Sequence, residues 1–186
     1  MKQPLLLALA IVSLPSAALA QAKAAPMSKA ARISNAASAA PPSISAKATI
    51  MDFPAAEGGK PVELRKGSNG WVCFPDIPET DGNDPMCLDA SWQQWMDAYM
   101  AKRPPRITKP GIAYMTAPGG ASGSNTDPFA TRKAADNEWG FDGPHLMMLV
   151  TDPAALRGLP TKRQKDAPWV MWAGTPYAHI MVPVKK

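Results

Sequence analysis

The most regular pattern of apolar positions falls in residues 90–102. Trp92, Trp95, Met96, Tyr99 and Met100 recur at i, i+3, i+4, i+7 and i+8, the spacing that gathers side chains on one face of a helix. Asp89 stands where a carboxylate can accept from first-turn amides. Lys102 and Arg103 sit at the negative end of the helix dipole, and Pro104-Pro105 ends the helix. The rest of the pattern has period two or consists of short apolar runs. Residues 48–52, 62–65, 71–74, 111–116, 145–150, 169–173 and 178–184 each predict a short strand. Gly67-Ser68-Asn69-Gly70 between the second and third runs predicts a hairpin, and 154–158 a helical turn. Residues 117–143 show little periodicity and many Gly, Ser, Asn and Asp; a loop of that length is usually functional or disordered. One helix among short strands predicts an α+β fold, a small, mostly antiparallel sheet covered by one amphipathic helix.

The N-terminus changes the picture of where the domain begins. Lys2, the apolar run 5–14 and Ala18-Leu19-Ala20 occur in the order of a secretory signal peptide. Cleavage would leave Gln21 first. Ser13 and Pro15 interrupt the run, so it is too short for a permanent membrane anchor. Residues 21–47 are mostly Ala, Ser, Pro and Lys with no aromatic residue, a composition that predicts a disordered tether. The expected organisation is therefore a signal peptide at 1–20, a tether at 21–47 and one α+β domain at 48–186, exported to the periplasm or secreted and not membrane-spanning once cleaved.

The formal charge of +5 is confined to the front of the chain. All fifteen acidic residues lie at or after Asp52, where fifteen Lys and Arg balance them; the excess comes from Lys2, Lys23, Lys29, Arg32 and Lys47. A nucleic-acid partner needs a basic patch on the folded part, and these counts offer none. Cys73 and Cys87 are the only cysteines. An exported chain meets oxidants, so a structural disulfide is expected, worth about 3 kcal/mol in the chain-entropy model. A redox pair would usually take the Cys-x-x-Cys form, absent here.

Candidate chemistry is sparse. There is no His-Glu-x-x-His, phosphate loop or dinucleotide glycine fingerprint, and Gly120-Ala121-Ser122-Gly123-Ser124 only approaches a nucleophile elbow. Three constellations remain. The two histidines open a repeated tripeptide, His145-Leu146-Met147 and His179-Ile180-Met181. Alternation along a strand puts His145 with Met147, and His179 with Met181, on one face. Imidazole with thioether suits copper, especially Cu(I). The competing reading is a core in which each His is hydrogen-bonded and each Met fills a gap. Asp76, Glu79, Asp81, Asn83 and Asp84 gather around Gly82, but without EF-hand spacing; turn chemistry accounts for them. Ser124, Asn125 and Asp127, with Tyr114 upstream, mark a candidate ligand site on the long loop. Ser122 or Ser124 with His145 and Asp127 is the set a hydrolase would need.

Four segments carry a resemblance: Gly-Ser-Asn-Gly-Trp-Val-Cys (67–73), Ser-Asn-Thr-Asp-Pro (124–128), Gly-Pro-His-Leu-Met (143–147) and Gly-Thr-Pro-Tyr-Ala-His-Ile-Met-Val-Pro (174–183). Over about residues 60–184 the chain resembles a group of exported bacterial proteins of unknown function. The resemblance implies a bacterial envelope setting and no activity. The leading expectation is a non-enzymatic binding protein for a small ligand or an envelope component, without cofactor. The alternatives are a copper-binding protein using His145, Met147, His179 and Met181, and a hydrolase built on the loop 114–127.

Overall fold

Short alternating runs can bury one side only by pairing widely, and here they pair into one large sheet. The computed structural model describes residues 27–54, 56, 59–77 and 80–184; the expected signal peptide lies outside them. The elements are helices α1 (Lys29–Ala37), α2 (Pro42–Ser45) and α3 (Ala90–Met100), with strands β1 (Thr49–Asp52), β2 (Val62–Arg65), β3 (Val72–Phe74), β4 (Met86–Leu88), β5 (Gly111–Met115), β6 (Ala121–Ser124), β7 (Trp139–Asp142), β8 (His145–Leu149), β9 (Trp169–Met171) and β10 (His179–Pro183). Eight strands form the main sheet in the order β2-β1-β3-β4-β5-β8-β10-β9, and β6 with β7 forms a separate two-stranded sheet.

The fold is α+β, as expected, but the sheet is neither small nor purely antiparallel. Its β1–β3 pair is parallel. The expected hairpin between 62–65 and 71–74 does not close on itself, because β1 inserts between its arms, antiparallel to β2. The turn that joins β2 to β3 is anchored on the entrance to β1: Ser68 N donates to the Lys47 carbonyl and Thr49 N to that of Trp71. A Cβ at Gly67 would lie 2.1 Å from Thr49 N, so only glycine lets the turn approach this closely.

Helix α3 starts as the sequence predicts, with Trp92 N donating to Asp89 Oδ1 at 2.9 Å. Its buried residues Trp92, Trp95 and Ala98 face the sheet at β4 and β5. Met100, placed on that face by the periodicity, is exposed. The second face of the sheet corrects the expectation of a single covering helix and, within the described residues 29–45, of a disordered tether. Residues 29–45 form α1 and α2, and Ala36, Ala39, Ala40, Ala48, Ile50 and the two cysteines make a second buried cluster. Ser28 caps α1 by accepting from Ala31 N, and Arg32 pairs with Asp52. A lack of large apolar side chains suggests that a segment cannot order itself. Here alanine is what the packing needs, since a small side chain lets a helix lie close to the sheet.

Cys73 and Cys87 are directly opposite each other on β3 and β4 and form a disulfide, with Cα atoms 4.0 Å apart. Among the described residues no helix is long and apolar enough to cross a membrane.

Candidate binding pocket

Alternation assigns the strands of the second half to the α3 face. His145, Met147 and Leu149 are buried on β8, and His179 and Met181 on β10. The two strands are antiparallel, with Met181 opposite Met147 and Pro183 opposite His145. All four His-x-Met residues therefore share one face, as the copper reading requires. The repeats run in opposite directions, however, so the methionines meet and the histidines part. Continuing the register puts His179 opposite Leu149, four residues along the strand from His145, or about 14 Å of backbone. On its other side His179 is paired with Met171 of β9. Each histidine thus has a methionine across from it, Met171 on β9 for His179 and Met115 on β5 for His145, at opposite ends of the row.

Each imidazole is held by the carbonyl two residues before it. His145 Nδ1 donates to Gly143 O at 2.6 Å and His179 Nδ1 to Tyr177 O at 3.0 Å. A carbonyl cannot donate, so Nδ1 carries the proton in both rings and each Nε2 keeps a lone pair. Burial lowers the pKa of His145, opposed by the bond to Gly143 and the charge of Asp142. It pushes His179 down to about 4, opposed by the Tyr177 carbonyl; the charge of His145 lowers it a little further. Both rings are neutral at pH 7.

Above His179 lies a pocket of about 660 Å³ between α3, the sheet and the β6–β7 hairpin. Aromatic rings and thioethers dominate its walls, including Trp92, Trp95, Tyr99, Trp172, Met147 and Met181. The His179 ring stands nearly perpendicular to those of Trp92, Trp95 and Trp172, at centroid distances of 5.1–5.8 Å. Trp95, Tyr99 and Trp172 form a parallel stack. Among the described residues two buried side-chain polar atoms have no hydrogen-bond partner, Trp95 Nε1 and His179 Nε2. Both residues line this pocket. Buried polar atoms without partners are rare, and here a donor and an acceptor belong to two side chains that line one pocket.

The loop site expected from Tyr114, Ser124, Asn125 and Asp127 is not assembled as a unit. Tyr114 packs on Trp71 against the α1 side of the sheet, away from the other three. Asn125 is a structural tie. It accepts from Trp169 Nε1 at 3.0 Å and donates to Thr161 O and Glu138. With Trp172 Nε1 donating to Ser124 O, it fastens the long loop to the sheet. Ser124 and Asp127 do line the pocket. The Ser124 hydroxyl donates to Asn137 O and accepts from Asp127 N, and Ser122 is hydrogen-bonded to Asp81. These bonds, with His145 Nδ1 held by a carbonyl, supply no serine–imidazole–carboxylate relay of the kind a hydrolase would use.

Glu79 of the acidic loop lies outside the described residues. Asp76 accepts from Asp84 N, Asp81 from Ser122 N, and Asn83 donates to Pro118 O, so these groups serve as turn acceptors and ties. Burial, with the adjacent Asp76, raises Asp84 to about 7. Among the described residues no group of three or more His, Cys, Asp or Glu could hold a metal ion.

Sequence reasoning missed Met171 and Trp172, and the partnerless nitrogen of Trp95. Their run, 169–173, was legible as a strand; its position beside His179 was not, because strand order is a long-range property.

No protein-family model, curated protein or solved structure matches the chain.

Proposed function

We propose that the protein is exported and acts outside the cytoplasm as a non-enzymatic binding protein, holding a small ligand in the pocket beneath α3. The observation that carries this reading is the pair of partnerless nitrogens in an aromatic- and thioether-lined pocket. A buried polar atom left unsatisfied costs about 1–3 kcal/mol. A site that keeps two of them holds that energy in reserve for a molecule that satisfies both. The apolar walls suit an apolar body. Trp95 Nε1 requires an acceptor on the ligand, and His179 Nε2 a donor or a cation. Export is supported by the charged, apolar and small-residue order of the first twenty residues and by the disulfide. The resemblance to exported bacterial proteins points the same way.

The test is binding of the fluorescent apolar probe anilinonaphthalenesulfonate to folded protein. One saturable site is expected, lost in Ala130→Trp, which crowds the pocket wall. No saturable binding, or binding that Ala130→Trp leaves intact, contradicts the reading.

A further inference from the structure

We infer that the floor of this pocket is a Cu(I) site with one imidazole and two or three thioethers: His179 Nε2 with Met171, Met181 and Met147. The inference rests on the pocket being a binding site and names a ligand for it. It differs from the paired-histidine arrangement because, although each ring has a methionine across from it, Met171 for His179 and Met115 for His145, only His179 has a buried Nε2 without a partner among the described residues. Met171 is the cross-strand partner of His179. Met181 follows His179 on the same face, and Met147 is the partner of Met181. All three methionines are buried and line the pocket with His179. Directly opposed side chains have Cβ atoms about 5 Å apart and diagonal neighbours 7–8 Å, within reach of the three-torsion methionine side chain.

The chemistry fits a soft monovalent ion. Thioethers select Cu(I) over harder divalent cations. The imidazole is already in the tautomer a metal needs, because Nδ1–H is anchored on the Tyr177 carbonyl. Metal-ligating histidines are almost always oriented by such a second bond. His179 Nε2 has no other partner. Coordination would use the Nε2 lone pair and neutral sulfur atoms, so no proton is displaced and no electron is transferred. Trp92, Trp95 and Trp172 pack around His179, and aromatic rings favour a nearby cation.

The experiment is anaerobic titration of the purified protein with Cu(I), held reduced by ascorbate and competed with bicinchoninate. One equivalent should be retained. His179→Asn keeps a donor for the Tyr177 carbonyl and removes Nε2. Met171→Leu and Met181→Leu conserve volume and remove sulfur, so they test the site even if His179→Asn folds poorly. Each should weaken Cu(I) binding about tenfold or more, whereas His145→Asn should not change it. Absence of competitive binding, or binding indifferent to the Met171 and Met181 substitutions, overturns the inference. If Cu(I) fails while anilinonaphthalenesulfonate still binds, the copper assignment alone falls; if both fail, the binding-protein reading falls with it.

Discussion

The two faces of the main sheet are built on opposite principles. The α1 face is lined with alanines, Ile50 and a disulfide, and small side chains bring the helix close to the strands. The α3 face carries Trp92, Trp95, Trp169, Tyr177 and several methionines, large or flexible groups that leave a pocket of about 660 Å³ among them. Polar groups differ in the same way. On the α1 side Asn35 donates to Asn83 and accepts from Asp76 N, and Arg65 is held by the carbonyls of Ser45 and Ala48. On the α3 side two nitrogens have no partner. Close packing with satisfied polar groups is what stability alone would favour. The α3 face departs from both, and the proposed binding function rests on that departure.

The comparison is broken most severely by truncating the centre of the α3 face. Trp92 is 1% exposed and its indole donates to Met147 O. Trp92→Ala should destabilise the protein by about 3–5 kcal/mol, measured by urea unfolding. A loss below about 1 kcal/mol would mean that this face is loosely packed throughout, not only at the pocket. The matching lesion on the other face is removal of the disulfide. Replacing Cys73 and Cys87 together by Ala should cost about 3 kcal/mol, with the pocket still binding anilinonaphthalenesulfonate. Loss of probe binding from a protein that remains folded would show that the two faces are coupled.

A smaller effect sharpens the claim that alanine is required beneath α1. Ala36 is fully buried, so Ala36→Leu should overpack that face and cost about 1–3 kcal/mol in the same unfolding experiment. A neutral result would point to hidden space there as well.

The pH dependence of stability separates, by sign, buried groups that line the same pocket. His179 titrates near 4 in the folded state against 6.5 as a free group. It therefore contributes stability above pH 6.5 that is lost as pH falls toward 4. Burial lowers His145 too, and it acts in the same direction. Asp84 does the reverse. With its pKa raised from 3.8 to about 7, its contribution is complete below pH 4 and lost as pH rises through 7. Thermal melts across pH 4–8 should show His179→Asn flattening the acid limb and Asp84→Asn the neutral one. An unchanged acid limb in His179→Asn would place that ring in a solvated environment.

Much of the framework could be read from periodicity. The 3.6-residue stripe from Trp92 to Tyr99 and the Asp89 cap located α3, and alternation located β5, β8, β9 and β10 to within two residues. The His-x-Met repeats were visible because alternation places i and i+2 on one face. Antiparallel pairing decided which members meet, and that depends on which strands are neighbours, which local pattern does not encode. The turn 66–70 looked like a hairpin because its residues suit one; the intervening β1 is supplied from earlier in the chain. Residues 29–45 order against the sheet although their composition suggests a tether, because a buried alanine and a solvated one look alike in composition. Tyr114 was grouped with the Ser124 loop by proximity in sequence, although the pleat sends it to the opposite face.

The most direct test of the account is ¹⁵N NMR of the two imidazoles, which are the only ones in the chain. Two-bond ¹H–¹⁵N spectra of the ¹⁵N-labelled protein report tautomer, protonation and ligation at each ring nitrogen. Both rings should be neutral at pH 7 with the proton on Nδ1, the less common tautomer in free histidine. One equivalent of Cu(I) should shift Nε2 of His179 strongly and leave Nε2 of His145 in place. A proton found on Nε2 of His179, or an equal response of the two rings, would contradict the account.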